Sequence, residues 1–463
     1  DLKVGANVAA AQPLRANAKI GNRGVIPHGA GFVVSQAEAA QLGNPPFIRP
    51  YRNGRDLTET PRGALVIDAH GLSAEELRDK YPSVYQWLLE RVKPEREQNN
   101  RARVRDLWWL FAEARVVMRA SLSGLKRYIV TGQVAKHRVF QFLDASILPD
   151  DKLIAIALDD AFSLGILSSQ LHICWALATG GTLEDRPVYS KSTCFDTFPF
   201  PDEDTGLTPA LRERIATLAE HIDAHRKRVL GQAGAAGGDF ASAARMSAPQ
   251  SPPAPALPAA GTTASAALTL TGLYNVLAAL RAGRALTAKE KAIHTQGLVG
   301  VLRELHDELD AAVLAAYGLP PHASPDAILA HLVQLNTQRA QQEAQGHIRW
   351  LRPSFQNPQK SLSKQELVPL ENTALEADSI EQKSLSKEKQ TQPWPATLPE
   401  QVGAVAALLS ASPSALTLAE IEACFKGRGA WKKTLPTLLQ TLAALGRAHP
   451  QEHPEGVAWR AIH

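Results

Sequence analysis

An apolar stretch near the middle of the chain limits the possible folds most strongly. Residues 152–158, KLIAIAL, are aliphatic after their first lysine, and residues 161–183 contain no Asp, Glu, Lys or Arg. This pattern predicts a strand covered on both faces and then a buried helix over residues 160–179. A membrane span is disfavoured because three serines, a glutamine and a histidine would lie in hydrocarbon. The stretch therefore predicts the core of a globular module that contains both strands and helices.

The size and composition indicate a multidomain globular protein. The chain has 463 residues, of which 44% are apolar, which is enough for more than one packed core. Its cysteines are too few and too scattered for a disulfide framework or a zinc site; they are Cys174, Cys194 and Cys424. The expected setting is a reducing cytoplasm, and no metal is implied.

Positive charge is concentrated in one part of the chain. Residues 49–138 hold 18 lysines and arginines against 11 aspartates and glutamates, a net charge of +7, whereas the whole chain carries +4. The residues outside 49–138 therefore carry a net charge of −3. A local basic excess favours a polyanionic partner, because cationic side chains displace its counterions; this effect supplies affinity but no sequence preference.

Residues 47–57, FIRPYRNGRDL, place an arginine at every third position. Pro50 and the Asn53-Gly54 pair are expected to stop both a helix and regular strand pairing, which predicts a stiff loop. The loop would present Arg49, Arg52 and Arg55. Guanidinium groups bind phosphate bidentately and read guanine edges in the same geometry. The competing interpretation is a solvated turn whose arginines pair with Asp56 and Glu59.

Two further segments supply candidate contacts. Arg101, Arg103 and Arg105 alternate before Trp108-Trp109, and in extended chain they would all face one side. A solvated helix end is the alternative, and we favour core packing for the tryptophans. Residues 126–144 predict two strands around Gly132, with Lys136, His137 and Arg138 at the turn, and such a basic hairpin can enter a DNA groove.

Capping patterns predict several helices in the first part of the chain. Ser35 is a suitable N-cap for a short helix that ends at Gly43. Ser73 and Glu76 form a capping-box pattern, and the helix that they begin is expected to bend or restart at Pro82.

The second half of the sequence predicts helices separated by linkers. A charged helix covers residues 209–230, three or more helices cover 268–350, and residues 399–463 have the helix and strand order of a winged helix. Of the 35 residues in 231–265, 22 are Ala, Gly or Pro, which predicts a disordered linker. In the winged helix, Lys426, Arg428, Lys432 and Lys433 would meet DNA if the domain binds it; protein packing is the alternative. His221 and His225 are four residues apart but lack a third metal ligand nearby.

Several segments resemble one family in the same order. They include GAGFVVSQAEAAQLG (29–43), FIRPYRNGRDLTETPRGALVID (47–68), CFDTFPFPD (194–202) and IRWLRPSFQNP (348–358). They are similar to the MmeI-like, type IIL restriction–modification enzymes, in which one polypeptide carries a nuclease, an adenine-N6 methyltransferase that uses S-adenosylmethionine, and a target recognition region. The resemblance implies a target recognition domain over residues 1–205, a helical bundle over 206–230 and 266–351 that helps grip the duplex, linkers at 231–265 and 352–398, and the winged-helix-like domain at 399–463.

The expected fold class is therefore α+β: a mixed α/β recognition domain, a helical bundle and a small winged-helix-like domain. The expected function is DNA sequence recognition for a site-specific adenine-N6 methyltransferase, with double-stranded DNA and a separate methyltransferase or nuclease domain as partners. No catalytic, cofactor or metal residue is assigned; S-adenosylmethionine belongs to the full enzyme. The predicted DNA contacts are Arg49, Arg52, Asn53, Arg55, Arg101, Arg103, Arg105, Lys136 and Arg138.

Two alternatives remain open. Asn44-Pro45-Pro46-Phe47 has the letters of the catalytic motif of adenine-N6 methyltransferases, so this chain could be a complete methyltransferase. Against this, the motif follows a helix-like segment instead of a buried strand, and no glycine-rich cofactor loop accompanies it. The other alternative is an adaptor that binds proteins and no DNA.

Overall fold

A computed structural model describes residues 6–184, 186–231, 268–358, 392–395, 398–412, 415–426, 431–444, 448–453 and 456–461. The chain forms two compact units, residues 1–368 and 369–463. The linker predicted for 231–265 lies outside the described residues after Gly231, and so does most of the polar linker predicted for 352–398.

The strands of the first unit are short. They are β1 (Gly21–Arg23), β2 (Val33–Val34), β3 (Ile48–Arg52), β4 (Leu65–Ile67), β5 (Arg127–Gly132), β6 (Phe140–Asp144), β7 (Leu148–Pro149), β8 (Leu153–Ile156), β9 (Gly181–Leu183) and β10 (Arg186–Val188).

Helices surround these strands and continue beyond them. The helices of the first unit are α1 (Gln36–Gln41), α2 (Gly54–Thr58), α3 (Ala74–Lys80), α4 (Pro82–Arg91), α5 (Lys93–Glu97), α6 (Ala102–Asp106), α7 (Val116–Leu122), α8 (Ala161–Ser168), α9 (Gln170–Thr179), α10 (Pro209–Val229), α11 (Leu270–Arg281), α12 (Ala288–Gln296), α13 (Val299–Ala316), α14 (Pro325–Ala344) and α15 (Pro353–Gln356).

Two four-stranded sheets form the centre of the first unit. One is antiparallel with the order β1-β8-β5-β6, and the other has the order β2-β4-β3-β7, in which only β3 and β7 are parallel. The predicted basic hairpin is confirmed, since β5 pairs with β6 from Arg127↔Asp144 to Thr131↔Phe140. Because β7 passes into β8 through residues 150–152, the two sheets are joined at one end.

The apolar stretch forms the core, as predicted, but its helix is broken. All four residues of β8 are buried, and so are seven of the eight residues of α8. The prediction of a single helix over 160–179 is wrong, because Ser169 leaves the helical conformation. It is the N-cap of α9, and its side chain accepts a hydrogen bond from His172 N. The capping serine therefore divides the predicted helix into α8 and α9.

Among the described residues, no single helix is long and apolar enough to cross a membrane. The α8 and α9 pair meets the length and composition criteria together, but it is bent by 60°.

The later helices of the first unit pack on the same core as the antiparallel sheet. Phe140 of β6, Trp175 of α9, Ile215 of α10, Leu277 of α11 and Leu309 of α13 all belong to one buried apolar cluster. The helices predicted as a bundle therefore lie in one compact unit with the sheets instead of forming a separate one.

The helix caps predicted from the sequence in the first part of the chain are present in the structure. Ser35 and Ser73 each form a capping box, with Glu38 and Glu76 respectively, and the predicted restart at Pro82 separates α3 from α4. In each box the serine oxygen accepts from a backbone N–H of the first turn, and the glutamate accepts from the serine N–H. These helix starts are thus determined by local side-chain chemistry.

The second unit has the element order of a winged helix, as predicted. Its elements are β11 (Gln392–Pro393), α16 (Leu398–Ala411), β12 (Leu416–Thr417), α17 (Leu418–Ala423), β13 (Phe425–Lys426), α18 (Trp431–Ala444), β14 (Ala448–His453) and β15 (Gly456–Ala461). The last two strands form an antiparallel hairpin, and β15 also pairs with β12. With the mixed first unit, this confirms the predicted α+β fold class.

The contact between α8 and α10 gives a test of packing. A Cβ added at Gly165 would lie 2.5 Å from Ile215 Cγ2 and 3.0 Å from Ile215 O, whereas one at Gly300 would meet only His294 Nε2, at 3.8 Å. We expect Gly165→Ala to lower the free energy of unfolding by about 1 kcal/mol or more, because overpacking exceeds the gain in helix propensity. Gly300→Ala, the control within α13, should be neutral or stabilising. Equal effects of the two substitutions in urea denaturation would contradict this packing.

Candidate nucleic-acid interface

The arginine-rich segment is a strand followed by a short helix. The prediction that Pro50 stops strand pairing is wrong, since Pro50 lies within β3 opposite Leu65 of β4. The N–H of Tyr51 donates to Ala64 O on the β4 side, so the nitrogen of Pro50 faces the β7 side. There β7 pairs with β3 only from Tyr51 onward, and the missing N–H of proline removes no hydrogen bond.

Asn53 acts as the N-cap of α2. Its Oδ1 accepts from Arg55 N at 3.0 Å and Asp56 N at 3.2 Å, and the Asp56 carboxylate accepts in return from Asn53 N at 3.0 Å. Asp56 is buried and also receives two hydrogen bonds from the Arg62 guanidinium, at 3.0 and 2.9 Å. Burial alone would raise the pKa of Asp56, but these hydrogen bonds outweigh it, and the pKa is lowered. The turn is therefore fixed before any ligand binds.

The three arginines of the segment have different environments. Arg49 is held by the protein: its guanidinium donates to Ala145 O at 3.0 Å and Ser146 O at 3.1 Å, and it lies 3.8 Å from Asp68. Arg52 donates to Tyr51 O at 3.2 Å. Burial lowers the pKa of both groups.

Arg55 is the accessible member of the three. Its side chain is 72% exposed, and it pairs with Glu59 at 2.7 Å. An exposed ion pair of this kind contributes little to stability, so its guanidinium can exchange the carboxylate for a ligand at low cost.

The turn between β7 and β8 places other charged groups beside Arg52. Asp150 N donates to Arg52 O at 2.8 Å, and the hydroxyl of Tyr51 donates to Asp150 Oδ2 at 2.5 Å. The next carboxylate, Asp151, pairs with Arg23 at 2.5 Å and Arg115 at 3.0 Å. Sequence reasoning missed these two arginines, because only the fold brings them to the turn: Arg23 lies on β1, which pairs with β8, and Arg115 is the residue before α7.

The loop between β5 and β6 reaches the same turn. Gln133 N donates to Lys152 O at 2.7 Å. Lys136 is exposed, whereas Arg138 is only 8% exposed. The Arg138 guanidinium donates to Gly132 O and Pro187 O, and burial lowers its pKa to about 10. In this conformation Arg138 holds the loop, and a direct contact with DNA would require it to leave those carbonyls.

The extended row predicted for Arg101, Arg103 and Arg105 is wrong. Residues 102–106 form α6, in which alternate side chains point to nearly opposite faces. All three arginines are exposed, and Arg105 also donates to Asn99 O at 3.1 Å. The predicted core packing of the tryptophans is confirmed for Trp108, which is buried, whereas Trp109 is half-buried at the edge of the same core.

A buried arginine that sequence reasoning missed holds this region in place. Arg96 is fully buried and donates to Pro27 O at 2.5 Å, Leu110 O at 3.0 Å and Val104 O at 3.3 Å. Burial lowers its pKa to about 10. It is a structural residue, although its neighbours in the sequence look like part of the same basic run.

The ends of the two sheets thus gather a set of cationic side chains, which we call the basic edge. Arg23 and Arg115 contact the turn at residues 150–152, Arg52 is hydrogen-bonded to it through its carbonyl, and Lys152 belongs to it. Arg55 on α2 and Lys136 in the β5–β6 loop are the exposed cations of the two segments that adjoin it. Its carboxylates, Asp150 and Asp151, are engaged by Tyr51, Arg23 and Arg115. Such an edge can bind phosphates through several charge-assisted hydrogen bonds.

The Asn44-Pro45-Pro46-Phe47 segment does not have the geometry that the catalytic motif requires. Asn44 is exposed, has a positive φ of 47°, and donates its N–H to Ala39 O at 2.9 Å directly after α1. The ring of Phe47 packs edge-on against Tyr81, with the centroids 4.8 Å apart. The segment is the C-terminal turn of a helix, and no buried strand precedes it.

Histidine and acidic groups do not assemble a metal site in the part of the chain that the structure describes. His225, considered from its spacing with His221, has its Nε2 2.9 Å from Gly297 O.

A mixed α/β module with an exposed basic edge is typical of domains that bind nucleic acids. Residues 12–202 match the family model described as "MmeI, target recognition domain".

Two known proteins are similar to parts of the chain. "DNA methyltransferase A" of Bacillus subtilis (strain 168) is 33% identical over 61 residues, which are 13% of this chain and 7% of that protein. A solved structure described as "Structure of Type IIL restriction-modification enzyme MmeI in complex with DNA has implications for engineering of new specificities" matches with a TM-score of 0.49 and 17% identity. That match covers 71% of this chain and 37% of the other. The chain therefore spans well under half of either protein.

The cap at Asn53 gives a test of the turn. Replacing it by alanine removes the oxygen that accepts from Arg55 N and Asp56 N, so Asn53→Ala should lower the free energy of unfolding by about 1 kcal/mol. Asn53→Asp keeps an accepting oxygen and should retain most of the stability. Urea denaturation of both variants measures the difference, and an unchanged midpoint for Asn53→Ala would contradict the capping role.

Proposed function

We propose that this chain is the DNA-recognition part of a site-specific adenine-N6 DNA methyltransferase in a restriction–modification system. The match of residues 12–202 to the MmeI target recognition domain carries the proposal. The basic edge supports it, because its cations lie at the adjoining ends of two sheets. In this proposal residues 1–205 read the duplex, the helices of 206–230 and 266–351 support them, and residues 399–463 form an accessory domain.

The accessible and the held cations have different roles in this proposal. Arg55 and Lys136 are exposed and form the first contacts with phosphate or base edges. Arg52 is half-buried on a strand and is fixed in direction, which suits bidentate binding of guanine. Arg49, Arg138 and the cap Asn53 hold the scaffold of the edge through their hydrogen bonds to the backbone.

Catalysis belongs to a domain outside these 463 residues in this proposal. The Asn44–Phe47 segment does not fit an adenine site, because Asn44 ends a surface helix and the Phe47 ring is packed against Tyr81. When bound to its own domain, S-adenosylmethionine supplies the methyl group for adenine. The residues of this chain hold the duplex in register so that an adenine can be presented there.

Duplex binding and its salt dependence test the proposal. Fluorescence anisotropy with a pool of labelled duplexes of varied sequence should show binding that weakens steeply as salt rises. The double variant Arg52→Ala/Arg55→Ala should bind at least about tenfold more weakly, and the slope of log K against log salt should fall in magnitude by roughly 1 to 2. Each substitution removes one arginine and, with it, one contact to a phosphate or a base.

Arg78→Ala is the matched control. Arg78 is 60% exposed and pairs with a neighbouring carboxylate, Asp79, much as Arg55 pairs with Glu59, but it lies on α3 and not at the basic edge. It should leave affinity and salt slope unchanged. If the double variant behaved like Arg78→Ala, the assignment of contacts would be wrong. If the wild-type chain bound no duplex at all, the protein-binding adaptor would be the better interpretation.

A further inference from the structure

The first unit contains a cleft beside the β5–β6 loop, next to the basic edge. It lies where the β5–β6 loop meets α9, α11 and α13, and its volume is about 430 Å³, within the usual range for sites that bind small molecules. We call it the cationic cleft. The polar side chains that line it are Lys136, His137, Arg138, Ser168, Gln170, Tyr274, Arg281, His306 and Asp310.

Positive charge exceeds negative charge in the cationic cleft. Lys136, Arg138 and Arg281 line it against one carboxylate, Asp310. Arg281 also pairs with Asp307, and when this second carboxylate is counted the cations still exceed the carboxylates by one. The two histidines add no charge near neutral pH, since burial lowers the pKa of both His137 and His306. The cleft therefore favours an anion.

Several donors in the cleft are available to a ligand. Ser168 is 3% exposed, and its hydroxyl oxygen has no hydrogen-bond partner among the described residues. A buried hydroxyl without a partner is costly, and a bound ligand would supply the partner. Both carboxylate contacts of Arg281 use Nη2, at 2.6 Å to Asp307 and 3.0 Å to Asp310. Its Nε and Nη1 form no hydrogen bond among the described residues and can donate to an oxyanion. Lys136 forms no ion pair within the described part of the chain.

Apolar side chains form the rest of the lining. They include Ile173 and Leu177 from α9, and Leu277 and Ala278 from α11. Leu177 is 53% exposed, which is high for a leucine beside a cleft. A ligand that fits this lining has an anionic head and a larger, less polar body.

We propose that the cationic cleft binds an organic phosphate, whose phosphate is held by Lys136, Arg281 and Ser168 and whose body packs on the apolar side. The same chemistry can come from a free nucleotide or from a phosphate of bound DNA. The proposal goes beyond the DNA-recognition role, since a free nucleotide would bind whether or not the chain binds duplex.

Calorimetry with adenosine 5′-monophosphate tests the proposal, with adenosine and inorganic phosphate as comparisons. The monophosphate should bind more tightly than either, because each comparison lacks one half of the ligand. Ala278→Phe should weaken its binding at least tenfold, since Ala278 is exposed, lines the cleft, and can take a ring that fills the space without breaking a hydrogen bond. Ser168→Ala should weaken binding about fivefold or more, because it removes one hydrogen bond to a charged group.

Ala292→Phe is the control, since Ala292 is an exposed alanine of α12 that does not line the cleft. It should leave nucleotide binding unchanged, and thermal unfolding should show that all variants are folded. If Ala278→Phe abolishes nucleotide binding but not duplex binding, the ligand is a free organic phosphate. If it weakens duplex binding while Ala292→Phe does not, the phosphate belongs to DNA. Absence of nucleotide binding at millimolar concentration, together with unchanged duplex binding by Ala278→Phe, would overturn the proposal.

Discussion

The hydrogen bonds between β3 and the turn at residues 150–152 determine the geometry of the first unit. Asp150 N donates a hydrogen bond to Arg52 O, and the Tyr51 hydroxyl donates one to the Asp150 carboxylate, so the end of one sheet is attached to the start of β8 in the other. Burial and the Asp150 carboxylate both raise the pKa of Tyr51, which keeps the hydroxyl protonated and donating. Without this connection, Arg52, Arg23 and Lys136 would belong to separate surfaces.

A second buried network fixes the later helices against the antiparallel sheet. The Arg226 guanidinium, 1% exposed, donates to Phe140 O at 2.6 Å and to the Tyr274 hydroxyl at 2.7 Å, and that hydroxyl lies 2.8 Å from His306 Nε2. A buried charge is tolerated only when its donors are satisfied, so β6, α10, α11 and α13 must keep their relative positions. This explains why helices that the sequence assigns to a separate bundle share one core with the recognition module.

Local features were predictable from the sequence, and long-range ones were not. The capping boxes at Ser35 and Ser73, the break at Pro82 and the burial of β8 follow from side-chain chemistry within a few residues. The roles of Arg96 and Arg138 do not, since only the fold brings backbone carbonyls from distant segments to their guanidinium groups. Arg23 and Arg115 were missed for the same reason. Composition located the basic region, but it could not separate its structural arginines from its accessible ones.

Hydrogen–deuterium exchange of the whole chain, with and without a duplex that it binds, examines the basic edge most directly. Peptides that cover residues 52–55, 133–138 and 150–152 should exchange more slowly together when duplex is present, because these segments meet at the adjoining ends of the two sheets. Protection confined to residues 398–461, with these three segments unchanged, would show that DNA is bound elsewhere and would contradict the role assigned to the basic edge.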